Sequence, residues 1–389
     1  MKILFLALDI DLGTHRGDSV HTRNLAASFA RAGHRVHLVV GAKPADADVP
    51  GVFVSVRPGA GDLSVLSHVH KVARGFRPDV IYERRFSPKI GAAASFLCRV
   101  PFAVEYNGIV EEEIAMQGRI VPNGPFARTK AILRVHLLRR AKAIVTVTEG
   151  LRDIVIRRYD VSASNVFVVE NGVNPQLFRP LDREESRNKL GLPNGPMLCF
   201  VGNLVRWQGL HGLITALTGT DPSLRLVIVG EGPERSSLEK EAKEVGLDTR
   251  VLFAGEIRHD LVPFYIAAAN AVVAPFSSER NAESGVSALK MYEYLACARP
   301  IIVTDITGAK ELVESFECGL VVPPGDAQAL VLATERVLMD SSYAAAAQRA
   351  SEFVRRERSW DRTAEHVTSI LEQVVSRRED IVDVGNKRG

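Results

Sequence analysis

Apolar runs of five or six residues alternate with helix-patterned stretches along the chain, and after one Pro- and Gly-rich break the alternation starts again. Neighbouring parallel strands need a long crossover, so this rhythm predicts strand-helix units in mostly parallel sheets. Expected strands in the first half are Lys2 to Leu8, Arg35 to Val40, Val52 to Val56, Asp79 to Tyr82, Phe102 to Glu105, Ala143 to Val147 and Val166 to Val169. A helix from Ser19 to Ala32 is expected between the first two, capped by Asp18 and stopped by Gly33. The segment from Asn174 to Pro196 carries four prolines, two glycines and a charged run at Asp182 to Glu185, and it reads as the domain boundary. Strands then recur at Met197 to Val201, Arg225 to Val229, Val251 to Ala254, Ala271 to Pro275, Pro300 to Thr304 and Leu320 to Val322.

The expected organisation is a doubly wound domain over 1–180, a linker over 181–196, and a second doubly wound domain over 197–340. A helical segment over 341–378 and a charged tail over 379–389 follow. The length of 389 residues agrees, since one hydrophobic core rarely serves more than about 250–300 residues. Cys98, Cys199, Cys297 and Cys318 stand far apart with no metal-ligand spacing, and they read as buried thiols of a reducing, cytoplasmic compartment. The apolar start at Met1 to Leu8 meets Asp9 and Asp11 too soon for a signal peptide, and no run reaches the roughly 18 apolar residues of a membrane span.

A net charge of +3 conceals an asymmetry. Residues 1–180 carry 25 Lys+Arg against 16 Asp+Glu, whereas residues 181–389 carry 24 against 30. The excess concentrates between Ile114 and Thr148, which hold seven cations and no acid, interleaved with Ile132, Leu133, Val135, Leu137 and Leu138. Such a stretch, residues 119–142, fits either an anionic membrane surface or an ordinary surface helix packing its apolar stripe, and both readings stay open. No aromatic stacking platform accompanies the charge, so no nucleic-acid partner is expected.

Several residues suit a phosphorylated ligand. Gly13 and Gly17 lie between the first strand and its helix, where backbone N–H groups favour an anion. Asp9 and Asp11 could hold a divalent cation, but a three-residue carboxylate pair is a common accident and no metal is expected. In the second half, Ser287 is a plausible N-cap that puts Lys290 in the first helical turn, where a cation opposes the macrodipole unless an anion neutralises both. Glu293 follows three residues later on the same face, an acceptor for ribose hydroxyls beside a phosphate-binding cation; the bland alternative is an exposed Lys-Glu pair. His21 reads as a solvated or capping side chain, or as a contact to a sugar or acceptor, and Glu111 to Glu113 as a solvated loop.

These motifs occur in order with "HTRNLAASFARAGHRV", "VEYNGIVEEE", "VVENGVNPQLFRP", "FVGNLVRWQGLHGLITAL", "LVIVGEGPERSSL", "SALKMYEYLACARPIIVTD" and "CGLVVPPGD". Taken together they resemble a family 4 glycosyltransferase. The resemblance covers nearly the whole chain and implies the GT-B architecture: two Rossmann-like, doubly wound parallel-sheet domains facing a cleft, the C-terminal helix crossing back to the first. It implies a hexosyltransferase that moves a sugar from a nucleoside diphosphate donor to a carbohydrate or lipid-linked acceptor, with retention, no cofactor and no obligatory metal. The first domain would serve the acceptor and the second the nucleotide sugar, in cell-surface polysaccharide or other glycoconjugate synthesis, in the cytoplasm or peripherally on the inner membrane face.

Carried over residue by residue, Glu293 resembles the second Glu of the family's Glu, seven residues, Glu motif. Gly17, Gly285, Ser287, Ala288, Leu289 and Lys290 would line the diphosphate, and Gly255, Glu256 and Ile257 the base. Asn107 falls near the family's His beside the donor sugar. Two departures stand out. The first Glu of the motif is Gly285 here, with Glu283 the nearest carboxylate, and the family's Arg and Lys after "Gly" become Asn203 and Gln208. Lys290 and Arg206 are then the cations left to meet a departing diphosphate. Alternatives are a nucleotide-sugar epimerase of the same fold and a non-catalytic transferase-like partner protein.

Overall fold

The computed structural model describes the backbone of the chain except residues 45–46, 60, 85–87, 110–124, 288 and 387–389. The side chains of residues 125–128, 130–131, 280–282 and 377–386 also lie outside the described set. The chain forms two compact units, the first holding Met1–Thr14, Asp18–Glu170 and Trp360–Gly389, the second holding His15–Gly17 and Asn171–Ser359.

The first unit is built on seven parallel strands: β1 (Lys2–Asp11), β2 (Arg35–Ala42), β3 (Val52–Val56), β4 (Val80–Arg84), β5 (Phe102–Tyr106), β6 (Ala143–Thr146) and β7 (Val166–Val168). Their order is β3-β2-β1-β4-β5-β6-β7. The crossovers are α1 (Gly17–Arg31), α2 (Asp62–Phe76), α3 (Lys89–Cys98), α4 (Pro125–Arg140) and α5 (Glu149–Tyr159). Burial on both faces explains why β1 reads as an unbroken apolar run: Ile3 through Leu8 are fully buried. β1 extends past the expected end at Leu8 to Asp11, because an irregularity after Ala7 lets Asp11 pair again with Ala42. Strand order reverses between β1 and β4, the place where open parallel sheets collect ligands outside their carboxyl ends.

The second unit repeats the plan with β8 (Met197–Val201), β9 (Arg225–Val229), β10 (Val251–Gly255), β11 (Ala271–Ala274), β12 (Ile301–Thr304) and β13 (Gly319–Val322), in the order β10-β9-β8-β11-β12-β13. All pairs are parallel, and the order reverses between β8 and β11. Its helices are α6 (Arg183–Leu190), α7 (Leu210–Leu217), α8 (Arg235–Glu244), α9 (Val262–Ala268), α10 (Ser278–Ser284), α11 (Leu289–Ala296), α12 (Lys310–Phe316), α13 (Ala327–Met339) and α14 (Ser341–Glu357).

Four boundaries differ from the sequence expectation: the first unit gives way to the second after Glu170 and not at 180, the last helix runs to Asn386 through most of the tail expected over 379–389, and two more concern the linker and the segment after it. The stretch expected as a linker over 181–196 contains α6, which belongs to the second unit. Asp182 caps it by accepting from Glu185 N at 2.8 Å, and Arg187, 6% exposed, donates to Ala268 O at 2.9 Å. The charged run that looked like a loop is a helix start with its acids in the first turn. The segment expected over 341–378 divides: α14 stays with the second unit, packed on α11 with Ser351 Oγ donating to Ala296 O at 2.8 Å. Only α15 (Trp360–Asn386) joins the first unit, where it packs on β4, β5 and β6 and Asp361 pairs with Arg31 at 2.6 Å.

Candidate active site

In the second unit the chemistry gathers where strand order reverses. β8 carries Phe200 and runs into Gly202; β11 runs into Phe276; α11 brings Lys290 in its first turn. The Lys290 Nζ donates to Gln208 Oε1 at 2.6 Å and lies 4.2 Å from the Phe200 ring centre and 5.2 Å from that of Phe276. Gly202, at φ 152°, leaves the space the ammonium occupies: a Cβ there would stand 2.7 Å from Nζ. Burial pushes the Lys290 ammonium down to about 7, against the opposing pull of Glu293. Two aromatic faces and one amide dipole thus hold a cation without neutralising it, a setting that favours an anion.

Glu293 sits one turn later on α11, 7% exposed, with His259 Nε2 3.3 Å from its Oε1, and His259 packs its ring on Phe178 at 5.2 Å. A buried carboxylate with one nitrogen partner keeps acceptor capacity for hydroxyl groups.

The other expected residues fall as follows. Ser287 lies just ahead of α11, which is described from Leu289. Its Oγ accepts from Asn171 Nδ2. Leu289 is the first described residue of the helix, and Ala288 lies outside the described residues. Gly285 is buried at φ 67°, and a Cβ there would lie 3.0 Å from Thr307 O, so this backbone shape suits glycine and not the family's Glu. Glu283 is exposed near the end of α10. Gly255 closes β10 at φ 76°, followed by exposed Glu256 and half-buried Ile257. Arg206 lies on a short 3₁₀ turn, 65% exposed, its Nε 3.5 Å from Glu279 Oε2; Asn203 is exposed.

Gly17, which groups with the second unit, opens α1 and is exposed; in the first unit Asp11 turns its Oδ1 back to accept from Gly13 N at 2.7 Å. His21 is neither solvated nor capping. It is 5% exposed, its Nε2 is 2.8 Å from Glu105 Oε1, and Trp360 of α15 packs edge-on at 5.0 Å. Glu105, on β5, also accepts from Tyr82 OH at 2.6 Å and from Asn107 Nδ2 at 2.5 Å, with Arg84 Nε at 3.3 Å. Burial alone would raise the Glu105 carboxyl, but His21 first and then Arg84 and Tyr82 overcome it and bring it down to about 2. Asn107 is thereby fixed by its amide nitrogen, while its buried Oδ1 has no hydrogen-bond partner among the described residues.

Glu105 and the neighbouring Glu83, which accepts from Gly91 N at 2.8 Å, escaped the sequence reading. The signal was available, since a carboxylate inside a five-residue strand buried on both faces must be paired. Glu111 to Glu113 and residues 119–124 of the basic stretch lie outside the described residues.

Two parallel Rossmann-like sheets, each with polar groups at the carboxyl end of its switch point, are the parts of the GT-B fold. The HepE protein of Anabaena, solved in complex with UDP-glucose, is similar over 96% of this chain and 100% of that one, with a TM-score of 0.77 and 24% identity. Residues 16–177 match the family model of family 4 glycosyltransferases and residues 182–359 that of group 1 glycosyl transferases, and the chain belongs to this glycosyltransferase family.

An alpha-D-kanosaminyltransferase of Streptomyces kanamyceticus is 32% identical over 53% of this chain, and the match spans about half of that enzyme, 53% of its length. An uncharacterised glycosyltransferase of Methanocaldococcus jannaschii is 26% identical over 95% of this chain and 97% of its own.

Proposed function

We propose that the protein transfers a sugar, with retention, from a nucleoside diphosphate sugar to an acceptor hydroxyl. The observation that carries this is the enclosed, un-neutralised Lys290 ammonium at the β8/β11 switch point, with Glu293 one turn away. Lys290 would meet the charge that develops on the leaving diphosphate, and the dipole at the start of α11 would add to it. Glu293 would accept from the ribose hydroxyls. No protein nucleophile is invoked: the glycosyl centre gains oxocarbenium character, and the acceptor attacks from the face of departure. Loss of the diphosphate needs no cofactor in this reading, and turnover is expected to persist with chelator.

Donor, acceptor and place are part of the proposal. HepE's complex with UDP-glucose makes a uridine diphosphate sugar the first donor to try. The acceptor is a carbohydrate or lipid-linked glycoconjugate, met in the cytoplasm at the inner membrane face. Lys290→Ala and Glu293→Ala are each expected to lower turnover at least tenfold, about the effect of losing one charge-stabilising contact. Full activity in both overturns the reading, and an inverted anomeric coupling in the product by NMR overturns retention.

Gly285 in place of the family's Glu favours one other reading, a non-catalytic relative. Calorimetry that detects no nucleoside diphosphate binding would support it.

A further inference from the structure

Three successive crossover helices of the first unit, α2, α3 and α4, share a property that no single one displays. After Asp62 at the start of α2, neither it nor the two residues beyond it contain an acid, and the same holds for 88–101 around α3 and for 114–148 around α4. α3 packs against both α2 and α4, so the three make one continuous surface.

Of eleven large apolar side chains that stand exposed among the described residues, five fall on these helices: Leu63, Phe96, Leu97, Ile132 and Leu133, with Phe96 76% and Ile132 71% exposed. Among the described residues of α4 the exposed positions are 129, 132, 133, 136, 139 and 140, one helical stripe, whereas Leu138 is buried and Val135 and Leu137 pack on the core. The described apolar residues of α4 therefore divide, some filling the core and two facing solvent.

The charges around these groups are largely unmatched. Lys89 pairs with Asp62 and Arg139 with Asp160. Lys71, Arg74, Arg77, Arg99, Arg140 and Lys142 are exposed and have no acid partner among the described residues. Between α2 and α3 a hollow of about 460 Å³ is lined by residues that include His70, Arg74, Arg77, Leu97, Cys98 and Val100.

We infer that this face is a docking surface for an anionic lipid bilayer. Phe96, Leu97, Ile132 and Leu133 enter the boundary between headgroups and acyl chains, the unmatched cations meet the negative surface, and the hollow seats a phosphate headgroup. Charge complementarity selects this occupant, because a chain partner of ordinary composition would leave so many like charges desolvated and unpaired. The inference sharpens the membrane location proposed above. It does not depend on the transfer reaction.

The test is co-sedimentation of the full chain with vesicles of phosphatidylcholine alone, or with about one quarter phosphatidylglycerol. Binding to the anionic vesicles only, weakened by salt, is expected. Arg74→Glu with Arg140→Glu should lower it by about fivefold or more for each cation removed. Phe96→Asp with Ile132→Asp should lower it with the thermal midpoint unchanged, since both positions are exposed. A Phe96→Trp reporter should shift its emission to the blue on anionic vesicles.

Equal binding to neutral vesicles, variants that bind like the parent, or a dimer in light scattering that Phe96→Asp dissociates would each overturn the inference. Turnover of a soluble acceptor is expected to survive all these variants, so loss of vesicle binding and loss of transferase activity are told apart.

Discussion

Lys290 Nζ donates to Gln208 Oε1 at 2.6 Å, so the cation at the β8/β11 switch point is anchored by a neutral group. Burial lowers its ammonium from the ordinary 10.5 to about 7, which leaves free protein near neutral pH only partly protonated at this site. A bound diphosphate favours the charged form and raises that value, so binding at about pH 8 should take up a proton. Calorimetry in buffers of different ionisation enthalpy should show this uptake, and Lys290→Met should abolish it. Affinity should fall as pH rises through 7. The apo protein runs the other way: the unfolded state binds more protons between 7 and 10.5, so stability rises with pH there.

The His21–Glu105 pair of the first unit gives an acid-side prediction. The Glu105 carboxyl is held at about 2, below its ordinary 4.5, so its contribution is present above 4.5 and lost as pH falls from 4.5 towards 2. His21→Ala removes the main partner of a carboxylate whose side chain is 2% exposed. Breaking a buried pair costs about 3–5 kcal/mol, and the acid unfolding midpoint of the variant should move to higher pH. An acid midpoint equal to the parent's would show that Arg84, Tyr82 and Asn107 hold Glu105 by themselves.

Gly285 predicts that the family's missing carboxylate cannot be restored by one substitution. At φ 67°, with Thr307 O 3.0 Å from the place of a Cβ, Gly285→Glu should cost about 1–3 kcal/mol and lower the melting midpoint. Gly285→Ala should cost a similar amount, because the strain lies in the backbone and not in the charge. A Glu variant as stable as the parent would mean that this loop readily takes another conformation.

How much of this could be read from the chain follows from the physics of each element. Strand-helix alternation follows from apolar runs buried on both faces, and β1, β8 and β11 are plain in the sequence for that reason; the strand orders, and with them the two switch points, are not, because pairing joins segments far apart in the chain. Lys290 was legible because a cation in a first helical turn is an electrostatic anomaly. α6 was not, because its charged face resembles a loop until Arg187 is seen to reach Ala268 O. Glu105 was missed because a strand reading attends to the apolar residues, while this carboxylate is set by His21 of α1 and by Tyr82 and Arg84 of β4, two other places in the chain.

Arg206 and Lys290 are the two cations the sequence offers to a leaving diphosphate, and their settings differ. Lys290 is enclosed by Phe200, Phe276 and Gln208; Arg206 is 65% exposed with Nε 3.5 Å from Glu279 Oε2. An exposed pair of this kind contributes only about 0–1 kcal/mol, so removing Arg206 should leave the melting midpoint almost unchanged. In water its charge is screened, and it must leave Glu279 before it can act on another anion. Arg206→Ala should therefore lower kcat less than tenfold, whereas Lys290→Met, which removes a charge acting in a low-dielectric setting, should lower it by more than that. Parallel initial-rate measurements at saturating donor decide the order, and a larger loss in Arg206→Ala would make Arg206 the principal cation facing the diphosphate.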